Sequence, residues 1–227
     1  MKIKGLSSNA LKIIAAITMT IDHAGMILFP QIEIFRVIGR IAFPLFAFCI
    51  AEGCCYTHNK RKYLGMILFL GVIFHGVFVL ATGQTMFNIF ITFSFSIVLI
   101  YLLQRVKKET KEGKRQNQIL SGVVFFGMLL LTYLFTSIFI VDYGFFGIMI
   151  PVIVSLFDDL RKRKAAFLIG LLLLVVSMHT FIQSFCLLAV PILFLYNGKR
   201  GKYKMKFFFY IFYPLHLCLL FLVDIII

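Results

Sequence analysis

Asp22 and His23 lie within one apolar stretch of the chain, and Arg36 and Arg40 open the next. Neutral imidazole is the side chain best suited to accept a proton near pH 7. Two guanidiniums at i and i+4 share one helix face. Such a pair suits a carboxylate or phosphate, or an oxyanion that forms as an acyl group is transferred. Asp22 and His23 are sequence neighbours, roughly 100° apart around a helix of 3.6 residues per turn, so they need not bond each other. Asp22 is placed to meet Arg36 or Arg40 across the turn between the two stretches, which would leave His23 to face a cavity. An arginine inside a bilayer costs roughly 2.5–3.5 kcal/mol even on the lenient insertion scale, so two of them demand a partner, a ligand or a water-filled cavity.

The elements that must carry these residues are membrane helices. Hydrophobic residues make up 61% of the chain and charged residues 14%, with mean hydropathy +1.00. A soluble domain of this size could not hide that much apolar surface, so the solvent is lipid. A span needs about 20 mainly apolar residues. That ruler predicts about nine spans, at 9–29, 34–56, 63–82, 85–105, 119–140, 143–158, 165–179, 181–197 and 207–227. The expected fold is therefore an all-α polytopic bundle, a single transmembrane domain over 1–227 with nothing left over for a soluble domain. The first apolar stretch lacks a small-residue cleavage site and reads as a retained helix.

Apart from Arg36 and Arg40, every Lys and Arg falls at 2–12, 60–62, 105–115, 161–164 or 199–206, in alternate turns between spans. This positive-inside pattern predicts a cytoplasmic N-terminus. The net charge of +14 is confined to short loops, so it reports orientation and anionic lipid rather than a nucleic-acid partner. The loop KKETKEGKRQNQ reads as a solvated connection. Five cysteines, an odd number without a CxxC spacing, read as small packing residues rather than disulfides or a zinc ribbon.

With that orientation, Asp22, His23, Arg36, Arg40, His75, Asn88, Asp142 and Tyr143 fall in one outer-half layer contributed by several spans. His216 lies near the middle of the last span, and Glu52 near the cytoplasmic end of the second. Intramembrane ionisable groups are functional candidates by default. The bland alternative is an interhelical hydrogen-bond network that only locks the bundle. In the second span Pro44 removes a helical N–H and should kink or widen the helix, and Gly39 and Gly53 permit close approach. No HxxxH spacing supports a metal site built from His23, His75 and His216.

Four blocks together resemble the TraX family of bacterial membrane proteins: LKIIAAITMTIDHAGMILFP, FRVIGRIAFPLFAFCIAEGCCYTHNKRKY, DYGFFGIM and the terminal YPLHL. That family is named for a conjugation-plasmid protein associated with N-terminal acetylation of pilin. It is similar, at a distance, to membrane acyltransferases that O-acetylate sugars and to the lysosomal glucosaminide N-acetyltransferase. The resemblance implies a multi-pass protein of the bacterial cytoplasmic membrane, with acetyl-CoA or another acyl-CoA as donor and no metal. The acceptor would be an extracytoplasmic amine or hydroxyl on a pilin-like peptide, a glycan or a lipid. By position the essential histidine of these relatives is His23, with Asp22, Arg36 and Arg40 as its supporting shell. His75, Asn88, Asp142, Tyr143 and His216 become candidates for acceptor binding. Lys60, Arg61, Lys62 and Tyr63 stand where relatives place residues near the coenzyme, although Gly65 and Met66 follow without a further arginine. His23 would act as general base for direct attack on the thioester, with an acyl-histidine route as the alternative and an oxyanion near Arg36, Arg40 or Asn88.

Two other classes use the same residues. A proton-coupled transporter would need the buried Asp, His and Arg but no coenzyme. A noncatalytic pilus or conjugation assembly factor would keep its role when His23 becomes Gln, provided the fold survives.

Overall fold

The computed structural model describes residues 5–202 and 205–226, with the side chains at 81, 82 and 206–210 outside the description. Lys2, Lys4 and Lys204 of the basic clusters, the Lys206 side chain, and Ile227 at the end of the ninth expected span lie outside the described residues.

Among the described residues eleven helices follow one another: α1 Ser8–Ile27, α2 Glu33–Gly39, α3 Ala42–Tyr56, α4 Lys60–Thr82, α5 Ile89–Lys111, α6 Arg115–Ile138, α7 Gly144–Val154, α8 Leu160–Met178, α9 Phe181–Ser184, α10 Ala189–Phe194 and α11 Lys206–Ile226. A 3₁₀ turn, Phe185–Leu188, precedes α10. Among the described residues the β pairing amounts to two isolated bridges, Leu6 with Tyr196 and Phe87 with Val141. The fold is all-α and polytopic. Among the described residues five helical stretches are long and apolar enough to cross a membrane: Ser8–Ile27, Glu33–Tyr56, Lys60–Leu80, Ile89–Lys111 and Arg115–Ile138.

Local chemistry explains the boundaries. The Ser7 hydroxyl accepts from the Ala10 amide at the start of α1, Asn59 caps α4 through the Lys62 amide, and Asn88 caps α5 through the Phe90 amide. Such caps satisfy amides that have no intrahelical partner. Gly83 closes α4 in the left-handed conformation, φ 70°, which glycine adopts without a Cβ penalty.

The second expected span, 34–56, divides into two helices rather than kinking. Pro44 is the third residue of α3 and cannot donate to the carbonyl of residue 40, and the break falls at Arg40–Ile41. Pro191, the third residue of α10, has the same effect on residue 187, and the expected span 181–197 is correspondingly a chain of short segments. The expected span 143–158 is an 11-residue helix, about 16 Å long at 1.5 Å per residue against a hydrocarbon core of about 30 Å. In place of the span at 165–179, α8 starts earlier and carries Arg161 to Lys164 in its first two turns.

The chain divides into two compact units, residues 1–49 with 171–227, and residues 50–170. In the first, α1 packs against α2 and α11. Close approach of α1 and α2 depends on Gly25, which lies against Phe35, and Gly39, which lies against Asp22. The strand-like segment at Leu6 pairs with the end of α10 through Leu6 N to Leu195 O at 2.8 Å and Asn197 N to Leu6 O at 2.9 Å. In the second unit α5 is the central helix, packed by α4, α6 and α7. Its Ser96 donates to the Ile148 carbonyl and its Thr92 to the Asp142 carbonyl, each at 2.8 Å. Hydrogen bonds and close packing of this kind hold helices together where lipid offers no hydrophobic contrast. Outward residues of α4 and α6, such as Phe69, Val77, Val123 and Phe126, are exposed and apolar, as a lipid-facing surface requires.

Candidate active site

The first unit gathers Asp22, His23, Arg36, Arg40, Gln183 and His216. Asp22 and His23 sit late in α1, Arg36 in α2, Arg40 at its C-terminal cap and His216 in α11. Because Pro44 restarts the helix at residue 42, Arg40 stands at a helix end. A cation there is favoured by the dipole of the preceding turns.

Asp22 bonds both arginines. Its Oδ1 lies 2.9 Å from Arg36 Nη1, and both its carboxylate oxygens accept from Arg40 Nη2 at 3.1 Å. Arg36 also donates to the Asp22 backbone carbonyl at 3.3 Å. Arg40 Nη1 donates to Gln183 Oε1 at 3.4 Å. The Arg40 and Asp22 side chains are 12% and 13% exposed, and Arg36 is 31% exposed, so Arg40 is the more deeply committed partner. One carboxylate faces two guanidiniums, which leaves the cluster with a formal charge of +1. Such a cluster can stabilise a developing negative charge.

His23 is half-buried. Its Nδ1 lies 2.7 Å from His216 Nε2, the two ring planes 17° apart with a centroid distance of 5.0 Å. His216 is buried, with 5% exposure. Its Nδ1 lies 2.9 Å from the Phe212 carbonyl. Phe212 stacks on the His216 ring at 5.1 Å, and the Tyr213 ring stands nearly perpendicular to both imidazoles. Two nitrogens sharing one tetrahedral zinc at about 2.0–2.1 Å would stand about 3.3 Å apart, so this contact has the geometry of a hydrogen bond. Among the described residues no group of three or more His, Cys, Asp or Glu side chains could hold a metal ion.

The other expected site residues belong to the second unit. His75 Nδ1 lies 3.3 Å from the Met86 carbonyl and its ring stacks on Phe87 at 4.4 Å. Both ends of the Asn88 amide are engaged: Oδ1 caps α5 and Nδ2 donates to the Gly71 carbonyl at 2.8 Å. The Asp142 backbone joins Phe87 and Thr92. Tyr143 caps α7 with φ 60°, a left-handed conformation uncommon for a bulky residue.

Lys60, Arg61 and Lys62 form the exposed first turn of α4. The Lys60 amine donates to Gln104 Oε1 at 2.6 Å and lies over the Tyr101 ring. The Tyr63 hydroxyl lies against Gly53, where a Cβ would come within 2.5 Å. Glu52 pairs with Arg163 of α8, and both side chains are buried, at 6% and 5% exposure.

Gln183 and Arg163 escaped the sequence reading. Gln183 lies with Ser184 inside an expected span that is otherwise apolar up to Tyr196, and its larger polar side chain could have been flagged on that ground. Arg163 sits in a basic run whose neighbours Arg161 and Lys162 are exposed, and nothing in the run distinguishes it.

The chain is 27% identical over 248 residues to the "Probable fimbrial assembly protein FimC, serogroup H1" of Dichelobacter nodosus, covering 94% of each chain. It is 37% identical over 96 residues to the uncharacterized protein RP591 of Rickettsia prowazekii (strain Madrid E), covering 42% of this chain and 34% of that one. No solved structure matches. A family model described as TraX protein matches residues 7–224, nearly the whole chain. This multi-pass membrane protein belongs to the TraX family.

Proposed function

We propose that the protein is an integral-membrane acetyltransferase, one transmembrane domain of the bacterial inner membrane with its N-terminus in the cytoplasm. It would move an acetyl group from cytoplasmic acetyl-CoA to an amine or hydroxyl on the outer side. The observation that carries this reading is the Asp22–Arg36–Arg40 cluster one residue from a histidine with no hydrogen bond to its Nε2 among the described residues. Its charge excess suits an oxyanion, and the histidine suits a base.

In the direct reaction His23 takes the proton of the acceptor N–H or O–H as that atom attacks the thioester carbonyl. The carbonyl oxygen becomes an oxyanion beside Arg36 and Arg40. The new C–N or C–O bond remains, the C–S bond breaks, and the thiolate of CoA receives the proton from His23. Asp22 holds the arginines in place rather than touching the substrate. The resemblance assigns the coenzyme to Lys60, Arg61, Lys62 and Tyr63, and their cationic first turn suits its phosphates. His75, Asp142 and Tyr143 remain acceptor-binding candidates, whereas the Asn88 amide already serves the fold. The relative named for fimbrial assembly favours a peptide acceptor over a glycan or lipid.

Purified protein in lipid nanodiscs, given radiolabelled acetyl-CoA and candidate acceptors, tests this. Label should appear in free acetate or acetylated product with the wild type and be lost with His23→Gln. If wild type neither binds nor consumes acetyl-CoA or longer acyl-CoAs, the enzyme reading fails. Solute uptake by proteoliposomes would then favour a transporter.

A further inference from the structure

Asp22, the sequence neighbour of His23, is the obvious residue to orient its ring, but Asp22 is taken by Arg36 and Arg40. The ring of His23 instead meets His216, 193 residues away. We infer that His216 is the positioning residue of His23, holding it in the Nδ1–H tautomer so that Nε2 is the nitrogen that accepts the proton. This rests on the reading of His23 as the general base.

The protons can be placed one at a time. A backbone carbonyl only accepts, so the 2.9 Å contact with the Phe212 carbonyl puts a hydrogen on His216 Nδ1. A neutral imidazole carries one ring hydrogen, which leaves a lone pair on His216 Nε2. The 2.7 Å contact with His23 Nδ1 is then a hydrogen bond only if His23 Nδ1 donates. His23 Nε2 is left with its lone pair, in the tautomer that imidazole side chains in water disfavour. When Nε2 takes the acceptor's proton, the resulting imidazolium still donates from Nδ1 to His216, which shares the positive charge. This is the base-and-orienter arrangement of nucleophilic enzymes, with a neutral imidazole in place of the carboxylate. A neutral orienter suits a cluster where Arg36 and Arg40 already outnumber Asp22. Stacking by Phe212 and the T-shaped contact with Tyr213 fix the His216 ring, so the tautomer of His23 is dictated by the fold of α11.

The test is nitrogen NMR of ¹⁵N-histidine-labelled full-length protein in nanodiscs, with the His23 signals assigned by their loss in His23→Gln. Wild type should show the Nδ1-protonated pattern at His23. His216→Phe should convert it to the Nε2-protonated pattern and lower kcat for acetyl transfer on the order of 10²-fold, with KM for acetyl-CoA unchanged. His216→Gln, whose amide oxygen can accept from Nδ1, should retain the wild-type pattern and most of the rate. An Nε2-protonated His23 in wild type overturns the inference, and that result needs no variant to fold. An unchanged His23 pattern in folded His216→Phe overturns it as well, whatever happens to the rate. Absence of acetyl transfer by wild type with the expected NMR pattern would instead sink the acetyltransferase reading and leave the positioning of His23 standing.

Discussion

Gly39 of α2 lies directly against the Asp22 side chain of α1, so that a Cβ at residue 39 would overlap the carboxylate. The ion-pair cluster therefore depends on a missing side chain as much as on the charged ones. Gly39→Ala should push Asp22 out of reach of Arg40, at a destabilisation of about 1–3 kcal/mol and a loss of acetyl transfer on the order of 10²-fold. Gly76→Ala is the control, because nothing lies within 4 Å of a Cβ there. It should be neutral or stabilising by up to about 1 kcal/mol from helix propensity. Thermal unfolding in nanodiscs and the radiolabel assay read both variants, and a silent Gly39→Ala would refute the packing argument.

The two arginines should not be equivalent. Asp22→Asn leaves two guanidiniums without their carboxylate and should cost about 3–5 kcal/mol. Arg40→Ala should destabilise more than Arg36→Ala, since Arg40 is 12% exposed against 31%. A double-mutant cycle between Asp22→Asn and Arg40→Gln should return a coupling of about 0.5–3 kcal/mol. A coupling near zero would mean that the pair contributes nothing to stability.

The buried pair of Glu52 and Arg163 belongs to the second unit and has no part in the proposed chemistry. Glu52→Gln or Arg163→Gln alone should lower stability by about 3–5 kcal/mol, and Glu52→Leu combined with Arg163→Met should recover most of it. Acetyl transfer per folded molecule should stay at the wild-type level in the double variant. If it collapses while the melting temperature is restored, the pair has a functional role.

At the start of α4, Arg61 and Lys62 are exposed, while Lys60 is tied to Gln104. Neutralising Arg61 or Lys62 should raise KM for acetyl-CoA by roughly fivefold at most, about 1 kcal/mol for an exposed ionic contact. The effect should fade as salt is added. Initial rates at two ionic strengths measure this, and a KM indifferent to both substitutions would remove the α4 turn from the coenzyme site.

Much of this was legible in the chain. Apolar run lengths marked the long membrane helices, and the cost of intramembrane charge required a partner for Arg36 and Arg40. The turn of a few residues between α1 and α2 makes Asp22 the partner within reach. Pro44 announced a disturbance, but whether the helix bends or breaks depends on what receives the carbonyl it leaves without a donor.

By itself the sequence determined the solvent, the long apolar helices, the family and the charge that must be answered near Asp22. Only the tertiary structure decided which side of each helix answers it. His216 meets His23, Gln183 meets Arg40, and Arg163 turns inward to Glu52 while Arg161 and Lys162 stay exposed. The physical reason is the lipid. In water an amphipathic stripe reveals which face of a helix is buried. In a bilayer the buried and lipid-facing sides are both apolar, so helix rotation leaves little trace in the sequence and is set by packing between residues far apart in the chain.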